Sequence, residues 1–301
     1  MGGSESRALS PAGASGALGR RRAFWLLSLP PAIWLALFFV APLALMAAFS
    51  FRADLRGGLL QPFAPSLVHY RQLADTLDYL RLLGVSMLMA LVVAIVVTTL
   101  AYPLAYFLAF KAGQRATLYL VLLLVPFWTS YLLRIMAWKF MLGSEGALNS
   151  LLLFVGVIEE PLPALLYNRS AVVLTLIYVW TPFAALPILA ALSRIEPQLL
   201  EAASDLGGDP PSQFRRVTLP LSLPGVLAAF FLVFIPTVGE YVTPILVGGS
   251  SGSMYGNIVQ DFFTKAGNWP LGSALAMVML VITLGLVAVA VRAIQPQRLV
   301  R

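Results

Sequence analysis

Leu82-Leu-Gly-Val-Ser-Met-Leu-Met-Ala-Leu-Val-Val-Ala-Ile-Val-Val-Thr-Thr-Leu-Ala-Tyr-Pro-Leu-Ala-Tyr-Phe-Leu-Ala-Phe110 carries no charged side chain over its whole length. As a helix rising about 1.5 Å per residue it outreaches the roughly 30 Å hydrocarbon core of a bilayer. No water-facing stripe interrupts it. A helix that is apolar all round is buried in protein or in lipid, and the rest of the chain decides between them.

The chain has 301 residues, of which 59% are hydrophobic and only 11% charged. Soluble domains carry about 25% charged residues, so too few charges are present here to wet a folded surface. Further apolar runs lie at Phe24–Phe49, Leu118–Leu142, Ala171–Leu192, Pro224–Val247 and Ser273–Ala293. The fold expected is an all-α integral membrane protein with about six transmembrane helices. Leu151–Ile158 is too short to cross and reads as an interfacial or re-entrant piece. Prolines such as Pro103, Pro182 and Pro236 are tolerated in such spans because neighbouring helices and Ser/Thr side chains satisfy the freed backbone groups.

Residues 1–23, rich in Gly, Ala and Ser near their start, read as a disordered tail. Residues 24–293 form the membrane domain, and 294–301 a second tail. Arg20, Arg21 and Arg22 stand directly before the first span, and an even number of spans leaves both termini on one side. By the positive-inside rule that side is the cytoplasm, which also receives Lys111, Arg115, Arg194, Arg215 and Arg216. The net charge of +7 follows from this topology and does not indicate nucleic-acid binding. There is no cysteine and a single histidine, His69, which excludes disulfides and thiolate or histidine-built metal centres. No phosphate-binding Gly-x-x-x-x-Gly-Lys-Ser/Thr loop occurs, and no catalytic cluster is found.

The cytoplasmic connection 193–223 is long for a loop between spans, and long loops tend to be functional. Within it Pro197 opens a segment, Glu201–Leu206 reads as a short helix, and Gly207-Gly208 ends it. Ala202 and Ala203 allow close approach to another surface. Glu201, Asp205 and Asp209 make it polar on one side, while Leu199, Leu200 and Leu206 can pack on a partner.

Glu201-Ala202-Ala203, then Gly207, then Leu219-Pro220 resemble the EAA loop of binding-protein-dependent ABC importer permeases, with Val217 where that family usually has Ile. The likeness is closest to spermidine/putrescine-type permeases, through Val125-Pro-Phe-Trp-Thr129, Leu133-Arg-Ile135, Gly239-Glu-Tyr241 and Asn268-Trp-Pro270. The resemblance implies a multi-pass permease of a bacterial cytoplasmic (inner) membrane. Its coupling helix would use Glu201, Ala202, Ala203, Asp205, Leu206 and Gly207, with Leu219 and Pro220 behind it, to dock on an ATPase. It also implies two ATPase subunits carrying ATP and Mg, a second homologous permease (a heterodimer, or else a homodimer) and a substrate-binding protein. No cofactor is expected in this chain. Polyamine is the implied substrate; ferric iron, thiamine, phosphonate and opine are the alternatives within the family. An ion-coupled carrier is the alternative outside it, and it would not need the 193–223 loop.

Glu240 falls inside an apolar run, where a charge costs about 2.5–3.5 kcal/mol and usually faces a cavity or a partner. It either lines the pathway for a cationic substrate or forms a structural pair, for instance with Arg134, or lies near the outer surface. Arg134 and Lys139 either snorkel to the interface or, for Arg134, meet a substrate or Glu240. Of the aromatics able to face a cation, including Tyr131, Trp138 and Tyr178, Trp128 and Tyr241 are the pathway candidates. The others suit an interfacial belt.

Overall fold

In the computed structural model, residues 27–53 and 65–294 are described. The expected tail at 1–23, and all but the first residue of that at 294–301, lie outside them. The chain runs as α1 (Leu27–Ser50), short α2 (Val68–Asp75), long α3 (Leu77–Phe110), α4 (Ala116–Leu124), α5 (Tyr131–Leu142), α6 (Ala147–Phe154) and α7 (Arg169–Leu192). It continues as α8 (Pro197–Asp205), α9 (Pro210–Val238), α10 (Tyr255–Thr264) and α11 (Trp269–Ile294). An isolated bridge between Arg52 and Pro65 is the only extended pairing among the described residues. The all-α membrane architecture is as expected from sequence.

Three helices form the centre: α3, α7 and α9 pack on one another pairwise. The buried side of α3 runs Ala90, Val93, Ala94, Val97, Ala101 and Ala105, spaced three and four residues apart as one face of a helix requires. Between helices in lipid there is little hydrophobic drive, so association depends on close packing through small residues. Gly225 of α9 gives the sharpest case. A Cβ built there would lie 2.6 Å from the Pro187 carbonyl oxygen of α7 and would also strike the Ala191 Cβ. Several polar atoms in this layer are satisfied locally. Thr175 and Thr237 donate to the carbonyls of Ala171 and Val233, and the Tyr102 hydroxyl meets Ser222 Oγ at 2.9 Å, joining α3 to α9. Outside the core, α11 packs on α1 and α10. Apart from that contact α1 presents apolar side chains outward, Trp34, Phe38 and Phe39 among them, as a lipid-facing helix should.

Two expected spans differ in detail. Five described helices are individually long and apolar enough to cross a bilayer, and a bent pair makes six if the two count as one broken span. In place of a continuous Leu118–Leu142 helix, Gly113–Trp128 and Tyr131–Phe154 meet at 87°. Pro126 is the cause: it tightens the end of α4 into a 3-10 turn, Val125–Trp128, and Thr129 and Ser130 then become extended. The run expected at Pro224–Val247 stops being helical at Val238. Gly239 caps it, and the chain turns through a separate short segment, Pro244–Gly248.

The close approach at Gly225 can be tested against Gly285, where a Cβ would meet nothing within 4 Å. Gly225→Leu should lower the thermal unfolding midpoint of the detergent-solubilised protein, at a cost of about 1–3 kcal/mol from overpacking. Gly285→Leu should leave the midpoint unmoved.

Candidate functional site

Irregular backbone at membrane depth survives only where protein covers it or where it lines a water-filled cavity. Both breaks therefore mark the region to inspect, and they meet. Tyr131, the first residue of α5, donates its hydroxyl to Glu240 Oε2 at 2.8 Å and stands 3.1 Å from Thr243 Oγ1. The other carboxylate oxygen, Oε1, accepts from the backbone N–H of Val242 at 2.9 Å and of Thr243 at 3.1 Å. Glu240 thus acts as an N-terminal cap for the turn that follows, a position where a carboxylate also meets the positive end of the peptide dipoles. On the far side α10 seals the break. Asn257 Nδ2 donates to the Tyr241 carbonyl at 2.9 Å, and a Cβ on Gly256 would lie 2.6 Å from the Gly239 carbonyl oxygen.

Arg134 lies one turn beyond Tyr131. Its guanidinium carbon is 4.9 Å from the Phe127 ring centre and 5.8 Å from that of Tyr131. It lines a cavity of about 440 Å³ between the broken span, α3 and α7, whose walls include Leu100, Leu123, Trp138, Ile177 and Thr181. The Glu240–Arg134 ion pair considered from sequence is not among the ion pairs of the described residues. Trp128, at the break itself, is 80% exposed, and Tyr241 is 44% exposed. Glu240, Tyr131 and Arg134 are thus brought together, with Trp128 and Tyr241 flanking them in sequence. Tyr131 and Thr243 are the members that sequence reasoning did not single out. A tyrosine straight after the Trp-Thr-Ser at a proline-driven break was the available signal.

The second region is the α7–α9 connection. Pro197 stands at the first position of α8, where its missing N–H costs nothing. Gly207 N–H bonds to the Ser204 carbonyl and Gly208 N–H to that of Ala203, which is the paired closure of a Schellman motif. Gly207 has φ +79°, a conformation glycine takes without a Cβ penalty. Gln213 Nε2 then donates to Ser204 Oγ at 2.8 Å and to the Gly208 carbonyl at 2.7 Å, tying α8 to the start of α9. Phe214 anchors that joint on α3, edge-on to Tyr102 and Tyr106. Leu219 N–H reaches back to the Phe214 carbonyl in a wide π-turn, and Pro220 follows inside α9. Meanwhile Glu201, Ala202 and Asp205 are exposed, and Leu206 is 90% exposed. A short helix, rigidly braced at its back, offers carboxylates and an uncovered leucine on its front.

The family model for "Binding-protein-dependent transport system inner membrane component" matches residues 17–301. The chain belongs to that family. It is 35% identical over 249 residues to the spermidine/putrescine transport system permease protein PotB of Escherichia coli (strain K12), covering 83% of this chain and 90% of that protein. The Haemophilus influenzae PotB is 38% identical over 176 residues, 58% of this chain and 61% of that one. A putative 2-aminoethylphosphonate transport system permease protein, PhnU of Salmonella typhi, is 30% identical over 151 residues, 50% of this chain and 52% of its own. Among solved structures, a bacterial ABC transporter involved in alginate import aligns with TM-score 0.76 at 16% identity, covering 94% of this chain and 98% of that chain. That likeness establishes the fold. The protein is therefore a multi-pass inner-membrane permease subunit of an ABC importer, and the reading as a secondary carrier is set aside.

In this permease the Gly207 cap depends on backbone conformation alone, because a Cβ there would meet nothing within 4 Å. Gly207→Val should cost about 1–2 kcal/mol locally. Hydrogen–deuterium exchange would show it as faster exchange at Leu206, Gly207 and Gly208, with the α3–α7–α9 layer unchanged.

Proposed function

We propose that this permease forms one half of a pathway moving a polyamine, spermidine or putrescine, from a substrate-binding protein into the cytoplasm. The observation that carries the substrate is the 35% identity to PotB, extending over 90% of that relative. The site is chemically compatible. A carboxylate fixed by uncharged donors, with exposed Tyr241 next to it in sequence and exposed Trp128 one turn before its partner Tyr131, suits an ammonium chain. Each cation–ring contact adds about 0.5–2 kcal/mol when made.

The other half of the pathway comes from a second homologous permease chain, as a heterodimer. Two separate ATPase subunits supply ATP hydrolysis with Mg, and each permease presents a helix like α8 to one of them. The uncovered Glu201, Asp205 and Leu206 make that contact, while Gln213 and Phe214 pass the movement into α9 and α3. Both termini lie in the cytoplasm, on the arginine asymmetry of the sequence. Arg134 favours a second reading, in which an acidic group on another small solute such as a phosphonate meets its guanidinium.

Reconstitution with the ATPase, the second permease and the binding protein in proteoliposomes tests this. ATP-dependent uptake of labelled spermidine or putrescine is expected. Glu201→Lys should reduce it about tenfold or more while leaving the permeases assembled, since a reversed charge at a docking contact is strongly unfavourable. Glu240→Gln should reduce it as well. Uptake that excess 2-aminoethylphosphonate suppresses and spermidine does not would move the assignment to the second reading.

A further inference from the structure

We propose that Tyr131 is a positioning residue that keeps the Glu240 carboxylate available to a substrate cation by holding it apart from Arg134. This rests on the reading of Glu240 as a pathway group. A guanidinium and a carboxylate in a poorly solvated region normally pair directly, through two parallel hydrogen bonds. Here they do not, although both contact one tyrosine. The Tyr131 hydroxyl is bonded to Glu240 Oε2 at 2.8 Å, and its ring lies 5.8 Å from the Arg134 guanidinium carbon. Arg134 is retained on the other side by the Phe127 ring at 4.9 Å, and Phe127 is itself wedged edge-on against Phe183 at 3.9 Å. Arg134 Nε is buried without a hydrogen-bond partner among the described residues, so one guanidinium donor is unsatisfied while an acceptor sits across one side chain.

The chemical consequence concerns charge. All three donors to the Glu240 carboxylate, the Tyr131 hydroxyl and the backbone N–H groups of Val242 and Thr243, are uncharged. They satisfy lone pairs and leave the negative charge uncompensated, so a substrate ammonium gains the full charge-assisted hydrogen bond. A direct Arg134–Glu240 pair would cancel that charge before the substrate arrived. Geometry favours the ring as the essential part. Tyr131 fills the space between the two groups with its face toward one and its hydroxyl toward the other.

The test uses the full importer in proteoliposomes, reading uptake of labelled spermidine and the amount moved per ATP hydrolysed. Tyr131→Phe keeps the ring and should retain at least about a third of the uptake. Tyr131→Leu opens the gap and should lower uptake about tenfold with ATP hydrolysis still running, a coupling of the size seen between neighbouring side chains. Adding Arg134→Gln to Tyr131→Leu should restore uptake to the Tyr131→Phe level, which a merely structural role for Tyr131 would not produce. Failure of that rescue overturns the proposal. If Tyr131→Leu does not assemble, Tyr131→Phe decides: a tenfold loss there places the role in the hydroxyl and overturns it, and retained uptake supports it. Glu240→Gln in parallel separates the two levels. Unimpaired uptake by that variant refutes the pathway reading of Glu240 itself, whereas its loss together with failed rescue refutes only the role of Tyr131.

Discussion

In a lipid environment an unpaired backbone N–H or carbonyl costs several kcal/mol, and this permease is arranged around the two places where its helices nevertheless stop. Elsewhere the long described helices α1, α3, α7 and α11 run without interruption. The α3–α7–α9 layer holds those helices with small residues and local hydroxyl bonds, while Thr129 and Ser130 at one interruption and Tyr241 at the other stay exposed. Thr129 and Asn257 then answer the freed groups: Thr129 Oγ1 donates to the Pro126 carbonyl at 2.6 Å, and Asn257 Nδ2 to that of Tyr241 at 2.9 Å. Because the two breaks share Tyr131 and Glu240, displacement of one is felt by the other through hydrogen bonds.

A permease does no bond-breaking chemistry, so its mechanism is the transmission of movement. On the proposed reading the α7–α9 connection carries it. The αL glycine and Gln213 fix α8 relative to α9, and Phe214 seats the joint against Tyr102 and Tyr106 of α3. A push on α8 therefore arrives at the same two helices that carry Gly225 and the buried alanine face. At its far end α9 terminates at the Glu240 break, so one helix runs from the α8 joint to that break.

Composition and apolar run length made the membrane fold legible, since no soluble protein could afford so few charges. The Pro197 start and Gly207 stop of α8 were equally readable, because capping is a local property. The bend at 87° was not. Pro126 lies inside an apolar run that looks the same as those around Pro103 and Pro182, through which α3 and α7 continue. What separates them is tertiary: buried Ala101 and Ala105 bracket Pro103 and buried Val179 and Ala184 bracket Pro182, whereas neither α4 nor the turn after it buries any residue. Glu240 could be flagged as a costly intramembrane charge. Its partners could not, because Tyr131 is 109 positions away in sequence and an ion pair with Arg134 fits the same apolar setting. Gln213 and Phe214 escaped for the same reason, since their roles exist only once α8 folds back on α9 and α3 stands behind.

The absence of native cysteine allows the central claim, that the two helix breaks line an aqueous path, to be tested directly. Single cysteines at Trp128, at Tyr241 and, as a lipid-facing control, at Phe38 would be introduced into the assembled importer. Each would be reacted with a charged, membrane-impermeant thiol reagent, with and without ATP. The account predicts labelling at positions 128 and 241 that changes with nucleotide and falls when spermidine is supplied, and none at 38. Cysteines at 128 and 241 that stay as unreactive as that at 38 in every nucleotide state would contradict it.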